Sequence, residues 1–124
     1  MNHMGTMVFV NFPVADVQRS TAFYEKLGFK KNEEFSTEEA SSMMWDDQFW
    51  IMLLNHDFYG KFIQEKQIID AQTTSGALIS FSLESAEAVK QFGETAKANG
   101  GNCYRVDMGI PEEQMYGLEV QDLD

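Results

Sequence analysis

The apolar residues Val10, Phe12 and Val14 recur at every second position over residues 9–14, which predicts a β-strand with Phe9, Asn11 and Pro13 on its other face. Asp16 follows this strand and is a residue type suited to cap a helix N-terminus. The apolar residues after it recur at helical spacing: Phe23, Tyr24 and Leu27. Gly28 stands where a left-handed residue would end such a helix. The opening of the chain therefore predicts a strand, a turn and a capped helix.

Three short stretches after Gly28 have the apolar content and the polar turns that are typical of strands. They are FKKNEEF at 29–35, SSMMWDD at 41–47 and FWIMLLN at 49–55. Together with the first strand and helix, they predict a β-α-β-β-β unit.

The pattern of this first unit returns later in the chain. A shift of 69 residues superimposes residues 10–16 on residues 79–85. Apolar positions then fall on apolar positions, and the capping Asp16 falls on a second capping residue, Ser85. Because the caps and the apolar positions match together, we expect an internal repeat with a second opening strand at 79–83.

A second helix is predicted after Ser85, and Gly100-Gly101 would end it. The stretches NCYRVDM at 102–108 and MYGLEVQ at 115–121 then resemble strands. This β-α-β-β unit is one strand shorter than the first, so we expect a truncated sequence. The alternative is a natural seven-strand variant.

The two units are joined by residues 56–76, which show neither the helical nor the strand period. A loop of that length is uncommon in a compact domain and is often functional. Its aromatic stretch FYGKFI at 58–63 would either cover a pocket or pack on a partner subunit.

Composition places these units in one domain. The 124 residues, of which 44% are hydrophobic, suffice for a single core. We assign the first module to about 7–55, the connecting loop to about 56–75 and the second module to about 76–124. No apolar run approaches the roughly 18 residues of a membrane span, so we expect none.

Charge and cysteine content restrict the partners and the compartment. The net charge of −11 repels phosphate backbones, which argues against nucleic-acid binding and favours cationic partners. Cys103 is the single cysteine of the sequence, so no internal disulfide can form. This cysteine usage fits a reducing cytoplasm.

A specific motif connects this organisation with a known family. The pattern D-x-x-x-S-x-x-F-Y-x-x-L-G-F spans residues 16–29, within paired β-α-β-β-β units. It resembles the vicinal oxygen chelate superfamily, which includes glyoxalase I, extradiol dioxygenases and bleomycin-resistance proteins. The resemblance implies an α+β fold in which two βαβββ modules form a curved, cavity-bearing mixed sheet. It also implies a homodimer.

The resemblance further implies a divalent metal held by His and Glu side chains on the cavity strands. The matching positions hold Phe9, Met52 and Leu78, and a fourth would lie beyond Asp124. None of these three side chains offers a nitrogen or oxygen ligand. We therefore expect no metal and no other cofactor, and we expect glyoxalase or dioxygenase chemistry of the usual kind to be disfavoured.

Other chemistry-bearing residues have a simpler interpretation. His56 is a candidate general base, but a solvated loop histidine is favoured. Cys103 is a candidate nucleophile, but a small buried residue is favoured because no histidine neighbour is identifiable. The acidic pairs are typical of solvated turns: Glu33-Glu34, Glu38-Glu39 and Glu112-Glu113.

Strand alternation predicts the lining of the cavity. If Phe9, Met52 and Leu78 face it, four further residues share that face: Asn11, Trp50, Leu54 and Ser80. Aromatic walls or a lid would come from five more: Trp45, Tyr59, Phe62, Tyr104 and Tyr116. A mostly apolar concavity with two polar groups is typical of a small-molecule site. The alternative is that these side chains fill the core and leave no cavity.

Three functions are compatible with this pattern. The first is a metal-free protein that binds or sequesters a small organic molecule, flat or cationic, as bleomycin-resistance proteins do. The second is an enzyme of the glyoxalase or dioxygenase type with atypical ligands or a metal-independent mechanism. The third is a regulatory or assembly module with a vestigial pocket.

Overall fold

A computed structural model describes residues 5–124 and shows an α+β architecture. Its elements follow in the order β1 Val8–Val14, α1 Val17–Lys26, β2 Lys30–Lys31, β3 Ala40–Met44, β4 Phe49–Asn55, α2 His56–Ile63, α3 Ala86–Ala98, β5 Asn102–Tyr104 and β6 Glu119–Gln121. A 3₁₀ turn, Glu33–Phe35, connects β2 with β3. None of the helices within residues 5–124 is long and apolar enough to cross a bilayer.

The first unit forms a four-stranded mixed sheet in the order β1-β4-β3-β2. β1 runs parallel to β4, whereas β3 is antiparallel to both of its neighbours. This arrangement confirms the predicted β-α-β-β-β unit. The stretch at 29–35 is a strand only at Lys30–Lys31, because Asn32 accepts a hydrogen bond from the Phe35 amide (3.2 Å) and turns the chain.

Both predicted helix boundaries are confirmed by their capping geometry. Asp16 accepts a hydrogen bond from the Arg19 amide (3.1 Å), and Ser85 accepts one from the Ala88 amide (3.1 Å). These bonds satisfy amides that have no partner within the helix. At the other ends, Gly28 (φ +109°) and Gly100 (φ +99°) take the left-handed conformation that stops each helix.

The core lies between one face of this sheet and the two longer helices. Its buried residues come from the sheet, α1 and α3: Val14, Met43, Ile51, Leu53, Val17, Phe23, Tyr24, Leu27, Phe29 and Ala96. A cluster of aromatic rings extends this core toward α3: Phe29, Trp45, Phe49, Phe81 and Phe92. The predicted place of Trp45 as a cavity wall is therefore wrong, because its ring packs on this side of the sheet.

The second unit departs from the prediction at its opening strand. Residues 79–83 form no strand, and β1 remains an edge strand within the described part of the chain. Instead, Phe81 docks onto the aromatic cluster, with its ring centroid 5.0 Å from that of Phe49. Burial of this ring, rather than backbone pairing, positions the segment.

Two further predictions require correction. The strands expected at 102–108 and 115–121 are confined to β5 and β6, which pair with each other in a separate two-stranded sheet. The connecting segment expected to be irregular contains α2, because Asn55 accepts a hydrogen bond from the Phe58 amide (2.8 Å) and caps a helix. Residues 64–85 after α2 form no helix or strand.

A polar network ties the segment after β6 to α1. The Tyr24 hydroxyl donates to the Asp122 carboxylate (2.5 Å). The Asp124 carboxylate accepts from the Ala15 amide (3.0 Å) and from the Ser20 hydroxyl (3.2 Å). Burial raises the pKa of the Tyr24 hydroxyl well above its usual value of 10.0, and the two nearby carboxylates raise it further.

The substitution Tyr24→Phe is expected to lower the free energy of unfolding by about 2 kcal/mol at neutral pH, since the lost bond has a charged acceptor. The unfolded tyrosine ionises near pH 10, whereas folded Tyr24 keeps its proton to higher pH. Its stabilising effect is therefore complete below about pH 10 and is lost as the pH rises through the raised folded pKa. Urea unfolding of both proteins from pH 7 to pH 11.5, roughly, measures the difference.

The two unfolding curves should therefore differ most at neutral pH and converge in alkali. A difference that stays constant across this range would contradict a protonated, hydrogen-bonded Tyr24. Tyr59→Phe is the matched control, because it makes the same chemical change at a half-buried tyrosine on α2.

Candidate functional site

The candidate site is the face of the four-stranded sheet that points away from α1, which we call the open face. The strand register places Phe9 beside Trp50 and Asn11 beside Met52. The same register adds a row from β3: Ala40, Ser42 and Met44. Alternation along β1 and β4 thus places Phe9, Asn11, Trp50 and Met52 on one surface, as expected. Leu54 lies on the same surface.

Three aromatic rings stand together on the open face. The Trp50 ring lies 5.4 Å from the Phe9 ring and 6.1 Å from the Phe35 ring, between centroids. Trp50 is only 6% exposed, but Phe9 is 47% and Phe35 60% exposed. The Trp50 indole N–H donates to the Asp47 carbonyl (3.1 Å), which holds this ring in place. We call this group the aromatic triad.

Phe35 is the functional candidate that the sequence prediction missed. The sequence pattern predicts a strand at 29–35 and does not indicate where the Phe35 side chain lies relative to the cavity. Hydrogen bonds fold the 3₁₀ turn over the open face, where the Ser42 hydroxyl donates to the Phe35 carbonyl (2.5 Å). The available signal was a large apolar residue directly after the acidic pair Glu33-Glu34, where a solvated turn was expected.

Asn11 is the polar group of the predicted lining that does lie on the open face. Its side chain is exposed, and its amide nitrogen donates weakly to the Phe9 carbonyl (3.4 Å). The amide oxygen and the second amide hydrogen are therefore able to meet a ligand. Asn11 can orient a molecule that is stacked on the neighbouring Phe9.

The predicted site residues between positions 56 and 80 are not placed on a strand of this face. Leu78 and Ser80 belong to the stretch without helix or strand, and Leu78 is 82% exposed. Tyr59 and Phe62 lie on α2, which packs against β1 and β4. Tyr59 is half-buried there, whereas Phe62 is 67% exposed.

The predicted residues of the second unit lie outside the four-stranded sheet. Tyr104 ends β5 and is 45% exposed. Tyr116 has cations of the protein itself over its ring, with the Arg105 guanidinium 4.6 Å and the Lys90 ammonium 5.2 Å from the ring centroid. These like charges would repel a cationic ligand from Tyr116.

The other chemistry-bearing residues show no catalytic arrangement. His56 is exposed at the first position of α2. Cys103 is a half-buried free thiol on β5, and its sulfur lies close under Gly93 of α3. No hydrogen bond within the described residues joins either side chain to a potential catalytic partner.

Two surface clefts flank β2 rather than the open face. The smaller, of about 290 Å³, lies between α1 and β3 and is lined by polar residues that include Thr21, Lys31 and Ser41. The larger, of about 470 Å³, is lined by charged residues that include Lys30 and Asp46. Small-molecule sites usually have apolar walls, so the aromatic triad is the stronger candidate.

Sequence and structure comparisons agree with this architecture. Residues 6–43 match the family "Bleomycin resistance protein-like N-terminal". The chain resembles hypothetical protein SA1046 from S. aureus, with a TM-score of 0.74 and 25% identity over 99% of this chain and 89% of that one. These matches support a relationship of the chain to the vicinal oxygen chelate superfamily. Its glyoxalase-like fold is the one predicted from the motif at residues 16–29.

A second solved structure supports the fold of this protein. It is a glyoxalase/bleomycin resistance protein/dioxygenase family enzyme from Burkholderia phytofirmans PsJN. The TM-score is 0.59 and the identity 20%, over 82% of this chain and 79% of that one. No curated protein sequence is significantly similar to the chain.

The side chains of this protein do not fit the divalent metal that the resemblance to the vicinal oxygen chelate superfamily implies. Phe9 and Met52, at two of the implied ligand positions, lie on adjacent strands of the open face. Neither has a hard donor atom. Across residues 5–124, no group of three or more His, Cys, Asp or Glu side chains is placed to hold a metal.

Proposed function

We propose that this protein binds a small, flat organic molecule on the open face, without a metal. The observation that carries the proposal is the aromatic triad, in which a fixed Trp50 is flanked by the 47% exposed Phe9 and the 60% exposed Phe35. Exposed aromatic side chains of this size are costly to leave in water. A planar ligand stacked on them would remove that surface from solvent.

The charge of the protein favours a cationic ligand. The sequence has 20 acidic residues against nine lysines and arginines, which gives the net charge of −11. Glu33 and Glu34 stand next to Phe35 in the 3₁₀ turn, and both are exposed. Aromatic faces attract organic cations, and an acidic surface raises their local concentration.

Thioflavin T, a flat cationic dye, is expected to bind the wild-type protein and to quench its tryptophan fluorescence. Phe9→Ala and Phe35→Ala should each weaken this binding by about threefold to tenfold, since each removes one ring contact. Met108→Ala is the matched control, because Met108 is 58% exposed and lies outside the open face. Fluorescence titration at low and high salt measures all three variants.

Unchanged affinity in both phenylalanine variants would contradict binding at the aromatic triad. Comparison with the anionic dye 8-anilinonaphthalene-1-sulfonate tests the charge preference, and equal or tighter binding of this anion would contradict it. If neither dye nor a broader library of flat molecules binds, the alternative of a regulatory or assembly module is favoured.

The enzyme alternative makes a different prediction. An atypical metal enzyme would retain near-stoichiometric metal after purification and lose activity on chelation. That result, measured by elemental analysis, would overturn the metal-free proposal. The apolar residues at two of the implied ligand positions, Phe9 and Met52, support the binding function instead.

Two broader expectations accompany this proposal. A homodimer is supported by the open edge of β1, where Val8 is 49% exposed; a monomer in sedimentation analysis would contradict it. A cytoplasmic location is supported by the single free thiol of Cys103; secretion of the protein by its native cell would contradict it.

A further inference from the structure

We propose that α2 is a hinged cover over one end of the open face and that it opens by local unfolding. The inference that this opening admits a ligand rests on the proposed function. The opening itself can be measured without any ligand.

The position of α2 follows directly from β4. Asn55 is both the last residue of β4 and the N-cap of α2, so the chain turns from the sheet into the helix without a linker. The helix then packs against β1 and β4. Leu54 points to the open face and is only 2% exposed, although it is not part of the core cluster around α1. We attribute the burial of Leu54 to α2.

The helix itself is weakly held. It has eight residues, and none of its side chains is buried. Helices shorter than about 12 residues are marginal in water unless tertiary packing stabilises them. Gly60 lies in the middle of α2, where glycine disfavours the helical state. The cover is therefore expected to open far more often than the sheet beneath it.

The C-terminal end of α2 is strained. Gln64, the C-cap, has φ +59° and ψ −119°, outside the left-handed helical region and unfavourable for a residue with a Cβ atom. Opening of the helix releases this residue. Residues 64–85 after α2 form no helix or strand. Contacts that hold this stretch lie further along, where Gln72 donates to the Asp124 carbonyl (2.9 Å) and Phe81 packs on the aromatic cluster.

Cysteine labelling measures the opening directly. In a Cys103→Ala background, Leu54→Cys places a thiol beneath α2, and Leu53→Cys places one in the core on the opposite face. Leu53 is fully buried, so it is the matched control for a residue that only global unfolding exposes. Under native conditions, a thiol reagent is expected to label position 54 at least tenfold faster than position 53.

Two further substitutions change the stability of α2 in opposite directions. Gly60→Ala adds a Cβ that meets no atom within 4 Å, so it should stabilise the helix and slow labelling at position 54 about fivefold. Asn55→Ala removes the N-cap and should accelerate this labelling about fivefold. Neither substitution should change labelling at position 53 to a similar extent.

Amide hydrogen exchange over residues 59–63 provides a second measurement that needs no cysteine variant. Gly60→Ala should slow exchange there by the same factor of about five. The cover would be overturned by equal labelling rates at positions 53 and 54. It would also be overturned if Gly60→Ala left the amide exchange rates over residues 59–63 unchanged. If position 54 is labelled faster than position 53 but thioflavin T does not bind, the proposed function is rejected and the cover is retained.

Discussion

Leu53→Ala is expected to lower the free energy of unfolding by about 3–4 kcal/mol, within the range for fully buried leucines. Leu53 is 0% exposed at the centre of β4, and its strand neighbours in the register are Phe12 on β1 and Ser41 on β3. Because strands lie on both sides of β4, the sheet cannot readily collapse into the cavity that the substitution leaves. Urea unfolding should show a lower midpoint with an unchanged slope.

Leu78→Ala is the matched control for this prediction. It makes the same chemical change at a leucine that is 82% exposed, so stability should change by less than about 0.5 kcal/mol. Similar losses in the two variants would mean that the segment around Leu78 is packed in solution. A loss below about 1 kcal/mol for Leu53→Ala would contradict a rigid core at β4.

Gly101→Ala is expected to destabilise the contact between the C-terminal hairpin and α1 by about 3 kcal/mol, at the upper end for overpacking. A Cβ at this position would lie 2.3 Å from the Gln121 carbonyl oxygen and 2.8 Å from the Phe23 ring. The first of these atoms is backbone, so relief requires a shift of β6 itself. Thermal unfolding followed by circular dichroism measures the loss.

Gly117→Ala is the matched control, since Gly117 precedes the same hairpin strand and has no atom within 4 Å of an added Cβ. It should leave the melting temperature within about two degrees of wild type. If Gly101→Ala behaves in the same way, the close approach of β5 and β6 to Phe23 does not exist in solution.

The stability and the proposed binding of this protein depend on opposite faces of one sheet. Leu53 and Tyr24 belong to the core on the side of the sheet that faces the helices, whereas Phe9 and Trp50 lie on the open face. Substitutions at exposed open-face positions should therefore affect ligand affinity with little cost in stability. This separation makes loss of binding in Phe9→Ala or Phe35→Ala interpretable.

The first module was largely predictable because its signals are local. The cap at Asp16 and the glycine at position 28 mark the two ends of its helix by their own backbone chemistry. Strand alternation was enough to place Phe9 and Met52 on a common face, because the side-chain period of a strand does not depend on its partners. The resemblance to the vicinal oxygen chelate superfamily rests on the same local motif.

The candidate site was predictable only in part. Alternation identified Asn11, Trp50 and Leu54 on β1 and β4, but the sequence did not reveal that Phe35 folds over them. That position depends on the hydrogen bond that the Ser42 hydroxyl donates to the Phe35 carbonyl and on the one that Asn32 accepts from the Phe35 amide. The prediction for Trp45 was wrong because its aromatic partners are distant in the sequence.

The amino-acid sequence by itself determined the helix caps, the strand period and the apolar residues at the implied metal positions, since each depends on side-chain type and near neighbours. Only the tertiary structure decided that residues 79–83 form no strand, that α2 lies against β1 and β4, and which rings meet at Trp50. The physical reason is that these features depend on contacts between residues distant in the sequence. Phe81 remains 37% exposed, but its ring packs on Phe49 and Phe92, which only folding brings together.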